Sequence, residues 1–205
     1  YVFIEFYGRT SPSGDAKMET NNPSDKILQA AQEEFAKKGF HDTAVSEIAD
    51  KAHVGKGTVY RHFGNKETLF GTLLKRGIQR IQEQTENIAN SSNSSRQAIE
   101  RILEMHFQIF EETKELMEII VNEGKHKIGT MREELLSEDL KHREQIEKLF
   151  ADGIREGDFK DQDPRKMAIV FQGFIWAIMR SAILYGENNP REDYLPLVSE
   201  MFFNG

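Results

Sequence analysis

The sequence predicts an all-α protein, with three short helices at the front, a polar break further on, and a longer helical body behind. Apolar residues recur every three or four positions through residues 18–205, which is the period of a helix with one buried face. The segments marked in this way are bounded by residues that start and stop helices. Nothing in that region alternates apolar and polar residues as a half-buried strand does.

Residues 1–17 join a short aromatic stretch to a Gly/Ser/Pro-rich one and do not match the rest of the chain. They are expected to be a leader outside the fold. Glu5 inside the apolar stretch, with no cation before it, is unlike a secretory signal. A first helix opens on Pro23-Ser24-Asp25, carries Ile27, Leu28, Ala31, Phe35 and Ala36 on one face, and stops at Gly39 behind Lys37 and Lys38. A second, at about 45–52, buries Val45, Ile48, Ala49 and Ala52. After a break at His53-Val54-Gly55, a third helix spans about 56–63, with Val59 and Phe63 inward and Thr58, Arg61 and His62 elsewhere. Two short helices joined by a tight turn, the second polar on one side, fit a helix-turn-helix or an ordinary three-helix core equally well.

A fourth helix runs from Lys66 to about Ala89, and Asn90-Ser91-Ser92-Asn93-Ser94-Ser95 is the clearest linker. Further helices are expected at about 95–112, 116–121, 131–155 and 164–185, the last opened by Asp163-Pro164. A ninth begins near Asp193, since Pro196 suits a first turn. The chain therefore divides into 18–80 for the head and 81–205 for the body.

The net charge of -7 hides an asymmetry. Residues 18–80 hold 10 Lys and Arg against 8 Asp and Glu, while residues 81–205 hold 15 against 24. Only the head suits a polyanion. Cysteine is absent, which excludes disulfides, thiolate metal sites and cysteine nucleophiles. No apolar run approaches the roughly 20 residues of a membrane span, so no membrane partner is expected.

Phe35-Ala36-Lys37-Lys38-Gly39-Phe40, Thr43, Ile48-Ala49, Val54, Lys56-Gly57-Thr58-Val59-Tyr60-Arg61-His62-Phe63 and Asn65-Lys66-Glu67-Thr68-Leu69-Phe70 together resemble the DNA-binding domain of the TetR family of bacterial repressors. The resemblance implies a cytoplasmic, ligand-responsive regulator, most simply a repressor, that binds a palindromic double-stranded operator as a homodimer. It implies that Lys56, Thr58, Tyr60, Arg61 and His62 face DNA, with Tyr60 and His62 on phosphates and Lys56 and Arg61 reading guanine. Gly57 lets the backbone approach the groove floor, Lys66 opens the fourth helix as a phosphate site, and Ser46 adds a contact. Two departures stand out. The family's usual glycine at a positive-φ turn is His53, at a strain of about 1 kcal/mol. Its usual capping Thr or Ser is Ala44, which deprives Glu47 of a capping-box partner and leaves Thr43 as the stand-in cap and phosphate ligand.

The segment 164–185 is apolar over most of its circumference, and such a helix must be buried all round. Packing of the last two helices against their symmetry mates in a four-helix bundle satisfies this, and the resemblance implies the same dimer. It also implies an effector pocket in the body that would draw on His106, Phe107, Phe110, Met117, Phe171, Phe174 and Trp176. That lining suits a small apolar or aromatic ligand, with His106 as its polar contact.

An enzyme is the first rival reading. The chain lacks a Gly-x-Ser-x-Gly elbow, and Gly55-Lys56-Gly57-Thr58 lacks the earlier glycine of a phosphate loop. His41, His53, His62, His106, His126 and His142 show no paired ligand spacing, so no catalytic residue, metal or cofactor is expected. The second rival is an interaction module of the same fold that has lost DNA binding.

Overall fold

A computed structural model describes residues 22–127 and 131–203, with the side chains of 123–127 excepted. Every regular element among the described residues is helical. There are eight: α1 Pro23–Asp42, α2 Val45–Lys51, α3 Lys56–Phe63, α4 Lys66–Ser91, α5 Ser95–Lys127, α6 Arg132–Glu156, α7 Pro164–Tyr185 and α8 Pro190–Phe203. The leader expected at 1–17 lies outside the described residues. The chain divides into two compact units, one holding the described residues to Leu73 with 112–131, the other 74–111 and 132 onward.

In the first unit Asn22 caps α1, its side chain accepting from Ser24 N at 3.1 Å, with Pro23 at the first helical position. The cap thus falls one residue ahead of the expected Pro23-Ser24-Asp25. Gly39, the expected stop, breaks the helix at φ 77° and a last turn continues to Asp42. Three fully buried rings fill the core: Phe70 meets Phe35 edge-on at 5.3 Å and Phe40 at 5.3 Å, while Phe35 stacks on Phe40 at 5.5 Å. Ion pairs tie α2 to α1, from Lys38 to Glu47 at 2.7 Å and from Lys51 to Glu33 at 2.7 Å and Glu34 at 3.0 Å.

Ala44 cannot cap α2 with its side chain, but half of the capping box survives. The Ala44 N–H donates to Glu47 Oε2 at 3.0 Å. His53, between α2 and α3, has φ 54° and is the one positive-φ non-glycine among the described residues, as the turn required. Its own N–H and that of Val54 close onto α2 carbonyls at 3.1 and 3.0 Å, so strain at His53 can be relieved without losing a backbone bond. His53→Gly is expected to raise thermal stability by up to about 1 kcal/mol, and His53→Val to lower it by at least as much. A melting curve for each checks this.

In the second unit α6 packs along α7, and α7 against α8. A Cβ at Gly153 of α6 would fall 2.5 Å from the Phe159 ring and 2.9 Å from Ser95 Cβ, so glycine there lets Phe159 fold back onto the helix. Phe159 joins Phe150, Phe171, Phe174, Phe202 and Phe203 in one aromatic cluster with centroid spacings of 5.1–6.3 Å.

Three expectations are corrected. The helices at 95–112 and 116–121 form one element, α5, interrupted only at Thr113 (φ −126°, ψ 19°), because no glycine or proline separates them. The last helix starts at Pro190, with Asp193 N bonded to Asn189 O at 3.1 Å. Pro190 is the better first-position proline, and Pro196 forfeits a single ladder bond. Finally, α7 is long and apolar enough to cross a membrane by length and composition, yet only 33% of its most apolar stretch is buried within the described chain. One face, Phe171, Ile175, Ile178 and Ala182, is buried. The other leaves Ile169, Val170, Trp176 and Leu184 about half exposed, as are Leu197 and Met201 on α8.

Candidate nucleic-acid interface and effector site

The front edge of the first unit is set by α3. Val59 and Phe63, four residues apart, are buried and fix the helix against the core. The opposite face leaves Lys56, Gly57, Arg61 and His62 exposed and Tyr60 43% exposed, with Thr58 half-buried at the margin. Lys56 Nζ lies 5.8 Å from the Tyr60 ring centroid, so the two residues present a cation and a hydroxyl side by side. Ser46 is exposed on α2.

Gly57 is not called for by any contact among the described residues. Its φ is not positive, and a Cβ added there would meet no atom within 4 Å. A glycine inside a helix costs up to about 1 kcal/mol relative to alanine. Among the described residues, the space in front of it is open.

Two residues expected at DNA are engaged elsewhere. Thr43 is buried, and its hydroxyl donates to Gly39 O at 2.7 Å and Glu34 O at 3.1 Å, so it closes the end of α1 instead of capping α2 or meeting a phosphate. Lys66 donates to the carbonyls of Phe40 at 2.7 Å, His41 at 3.1 Å and Thr43 at 2.9 Å, and sits 4.6 Å over the Phe40 ring. An ammonium has three donors, and all three are engaged by these carbonyls at the C-terminal end of α1, where a cation is favoured.

The residues expected to line an effector pocket fall in several kinds of surroundings. Phe171 and Phe174 belong to the aromatic cluster, each touching Phe202. Trp176 is 45% exposed on the outer face of α7, a position its spacing from Phe171 and Ile175 dictates. Met117 falls in the first unit, while His106, Phe107 and Phe110 are buried in the second. His106 instead faces His142, with ring centroids 5.3 Å apart.

That pair heads a polar chain through the body. His142 Nε2 lies 3.2 Å from Thr85 Oγ1, its Nδ1 lies 3.1 Å from Gln172 Nε2, and Gln172 Oε1 accepts from Arg143 Nε at 2.9 Å. Arginine only donates, so the Gln172 oxygen faces it and the amide nitrogen faces His142. His142 Nδ1 must then accept, and its Nε2–H donates to Thr85. Burial, seconded by the neighbouring His106, pushes the His142 imidazolium down to about 3. Burial lowers His106 too, against the opposing effect of its backbone contact at Ile102. Both rings are neutral at neutral pH. Sequence reasoning passed over His142, Thr85 and Gln172. The available signal was the apolar stripe of α6, Leu135, Ile146 and Phe150, which His142 shares at helical spacing. No group of three or more metal-ligating side chains occurs among the described residues.

Comparison with known proteins gives two family profiles. "Bacterial regulatory proteins, tetR family" matches residues 27–73 and "Tetracyclin repressor-like, C-terminal domain" matches residues 92–180. The HTH-type transcriptional regulator YhgD of Bacillus subtilis is 34% identical over 154 residues, which is 70% of this chain and 75% of that protein. The HTH-type transcriptional repressor KstR2 of Rhodococcus jostii is 25% identical, over 83% of this chain and 85% of its own. Among solved structures, the transcriptional regulator FadR of Bacillus subtilis in complex with stearoyl-CoA superposes with a TM-score of 0.76 at 22% identity, over 88% of this chain and 97% of that one.

Proposed function

Because the chain belongs to the TetR family of bacterial transcriptional regulators, we propose that it is a cytoplasmic repressor, homodimeric on a palindromic operator and released by a small apolar or aromatic effector. The observation that carries the DNA half is α3: a basic, hydroxyl-bearing face of Lys56, Tyr60, Arg61 and His62 around Gly57, in front of which the described residues leave open space. Ser46 and the margin residue Thr58 extend that face. Thr43 and Lys66 support it from behind, through the end of α1.

The half-exposed apolar stripes of α7 and α8 support the dimer. Ile169, Trp176 and Leu184 on one helix and Leu197 and Met201 on the other are the residues a second copy would cover in a four-helix bundle. A two-fold axis through that bundle matches a two-fold operator, with half-sites about 34 Å apart. An apolar effector is supported by the phenylalanine-rich interior of the second unit, and a fold of this kind holds stearoyl-CoA in FadR. Effector and operator are then expected to weaken one another's binding by the same factor.

The test is a duplex selected from a random pool by the wild-type protein. Tyr60→Ala is expected to weaken its binding by about 1–3 kcal/mol, as for a lost polar contact, leaving the oligomeric state unchanged. Gly57→Ala is expected to stabilise the head yet bind more weakly, a combination that a merely structural glycine does not produce. Affinity is expected to fall steeply with salt. Unaltered binding in both variants, or an affinity flat with salt, would remove α3 as the reading element.

A further inference from the structure

The outer face of α7 carries a cation without a partner and, nearer its start, a cavity that suits one. Val170, Gly173, Ala177, Arg180 and Leu184 recur every three or four positions and are all exposed, so they form one line along the helix. Arg180 is the one charge among them, and no carboxylate meets its guanidinium among the described residues.

The cavity, of about 670 Å³, is open and is lined by the apolar Met167, Val170 and Phe202 and the charged Asp161, Asp163 and Lys166. Asp163 is already engaged: it caps α7, accepting from Arg165 N at 3.0 Å and Lys166 N at 3.3 Å, with Lys166 Nζ 3.7 Å away. Asp161 is exposed and has no such partner among the described residues. A free carboxylate beside apolar walls fits a cation on an apolar stem, and an arginine side chain is such a group.

Within one chain the two cannot meet, because Val170 and Arg180 lie about 15 Å apart along the helix. A two-fold axis brings them together. In an isologous pair the same patch serves both subunits, and small residues let two helix backbones come close. With α7 antiparallel to α7 of a second copy and the axis midway between Gly173 and Ala177, Arg180 of each copy falls opposite Val170 of the other. The large exposed apolar side chains favour α7 as the centre of the contact, since α8 has only Leu197 and Met201 to set beside Ile169, Val170, Trp176, Leu184 and Tyr185.

We infer that α7 pairs antiparallel with α7 of a second copy across Gly173 and Ala177, and that the partner's Arg180 enters the cavity at the start of α7 and pairs with Asp161. This rests on the proposed dimer and specifies its geometry. Two identical charge contacts flank an apolar centre, and each cavity is complete only when the other copy fills it.

Sedimentation equilibrium and one spin-label distance test the arrangement. Arg180→Glu and Asp161→Arg are each expected to raise the dimer dissociation constant at least about tenfold, as for a charge left facing its like. The double variant is expected to recover most of that loss, because the exchanged charges still face one another. Since the chain has no cysteine, Lys166→Cys accepts a single label per copy. Position 166 of one copy is expected opposite position 184 of the other, which sets the two labels about 27 Å apart. This distance, read in a chain with both Arg180 and Asp161 intact, stands by itself if a charge variant does not fold. Single variants without effect, no recovery in the double variant, or a separation below about 20 Å or above about 35 Å overturns the inference and leaves the dimer standing, with its cavity open to another occupant. A wild-type chain that is monomeric at micromolar concentration overturns the dimer, and the inference with it.

Discussion

Acidification from pH 6.5 is expected to destabilise the second unit by up to about 1.4 kcal/mol per pH unit through His142, with a further loss through His106. His142 falls from an ordinary value of 6.5 to about 3 in the folded protein, and His106 is lowered as well. In that window the unfolded chain binds protons the folded one refuses, so stability is complete above pH 6.5 and is lost progressively towards pH 3. The groups facing the pair, the Thr85 hydroxyl, the Gln172 amide and the Ile102 carbonyl, are neutral and offer no compensating charge. Glu138, one turn before His142 and lowered despite its own desolvation by bonds from Lys141 and Gln82, adds to the loss at the acid end. Urea midpoints at pH 7.5, 6 and 5 measure the slope, and His142→Gln is expected to reduce it. An unchanged slope would mean that the histidines are not held neutral.

Phe70→Ala is expected to unfold the head. The ring is fully buried and contacts both Phe35 and Phe40, and truncating such a phenylalanine costs about 3–5 kcal/mol. A unit of about seventy described residues has a total stability of only about 3–10 kcal/mol, so the loss is a large part of the whole. Amide exchange in α2 and α3 is expected to approach that of unfolded chain, and DNA binding to disappear. The acid slope of the second unit is expected to persist. Retained protection in α3 would show that the remaining core suffices.

The helices were legible in the sequence because their signals are local. Gly39, Asp163-Pro164 and the Val59–Phe63 spacing are each decided within one or two turns. The positive φ at His53 was readable only through the family resemblance, whose usual glycine it replaces. What escaped depends on where a side chain points after the elements have packed. Thr43 and Lys66 carry the right chemistry for phosphate, but the C-terminal carbonyls of α1 lie nearer and take their donors. Trp176 is as apolar as its neighbours, and only the burial of Phe171 and Ile175 turns it outward. The link from His106 to His142, Thr85 and Gln172 spans four helices, and no spacing in one of them announces it.

Lys66 has a consequence for how this head could be grafted onto another body. The residue that opens α4 closes α1, gathering three carbonyls from a stretch more than 20 positions earlier. A chimera joined between α3 and α4, ahead of Lys66, would take the reading helix and leave its clasp behind unless the new partner supplied a lysine there. The portable unit ends past Phe70, because that ring and this cation both belong to the head's interior.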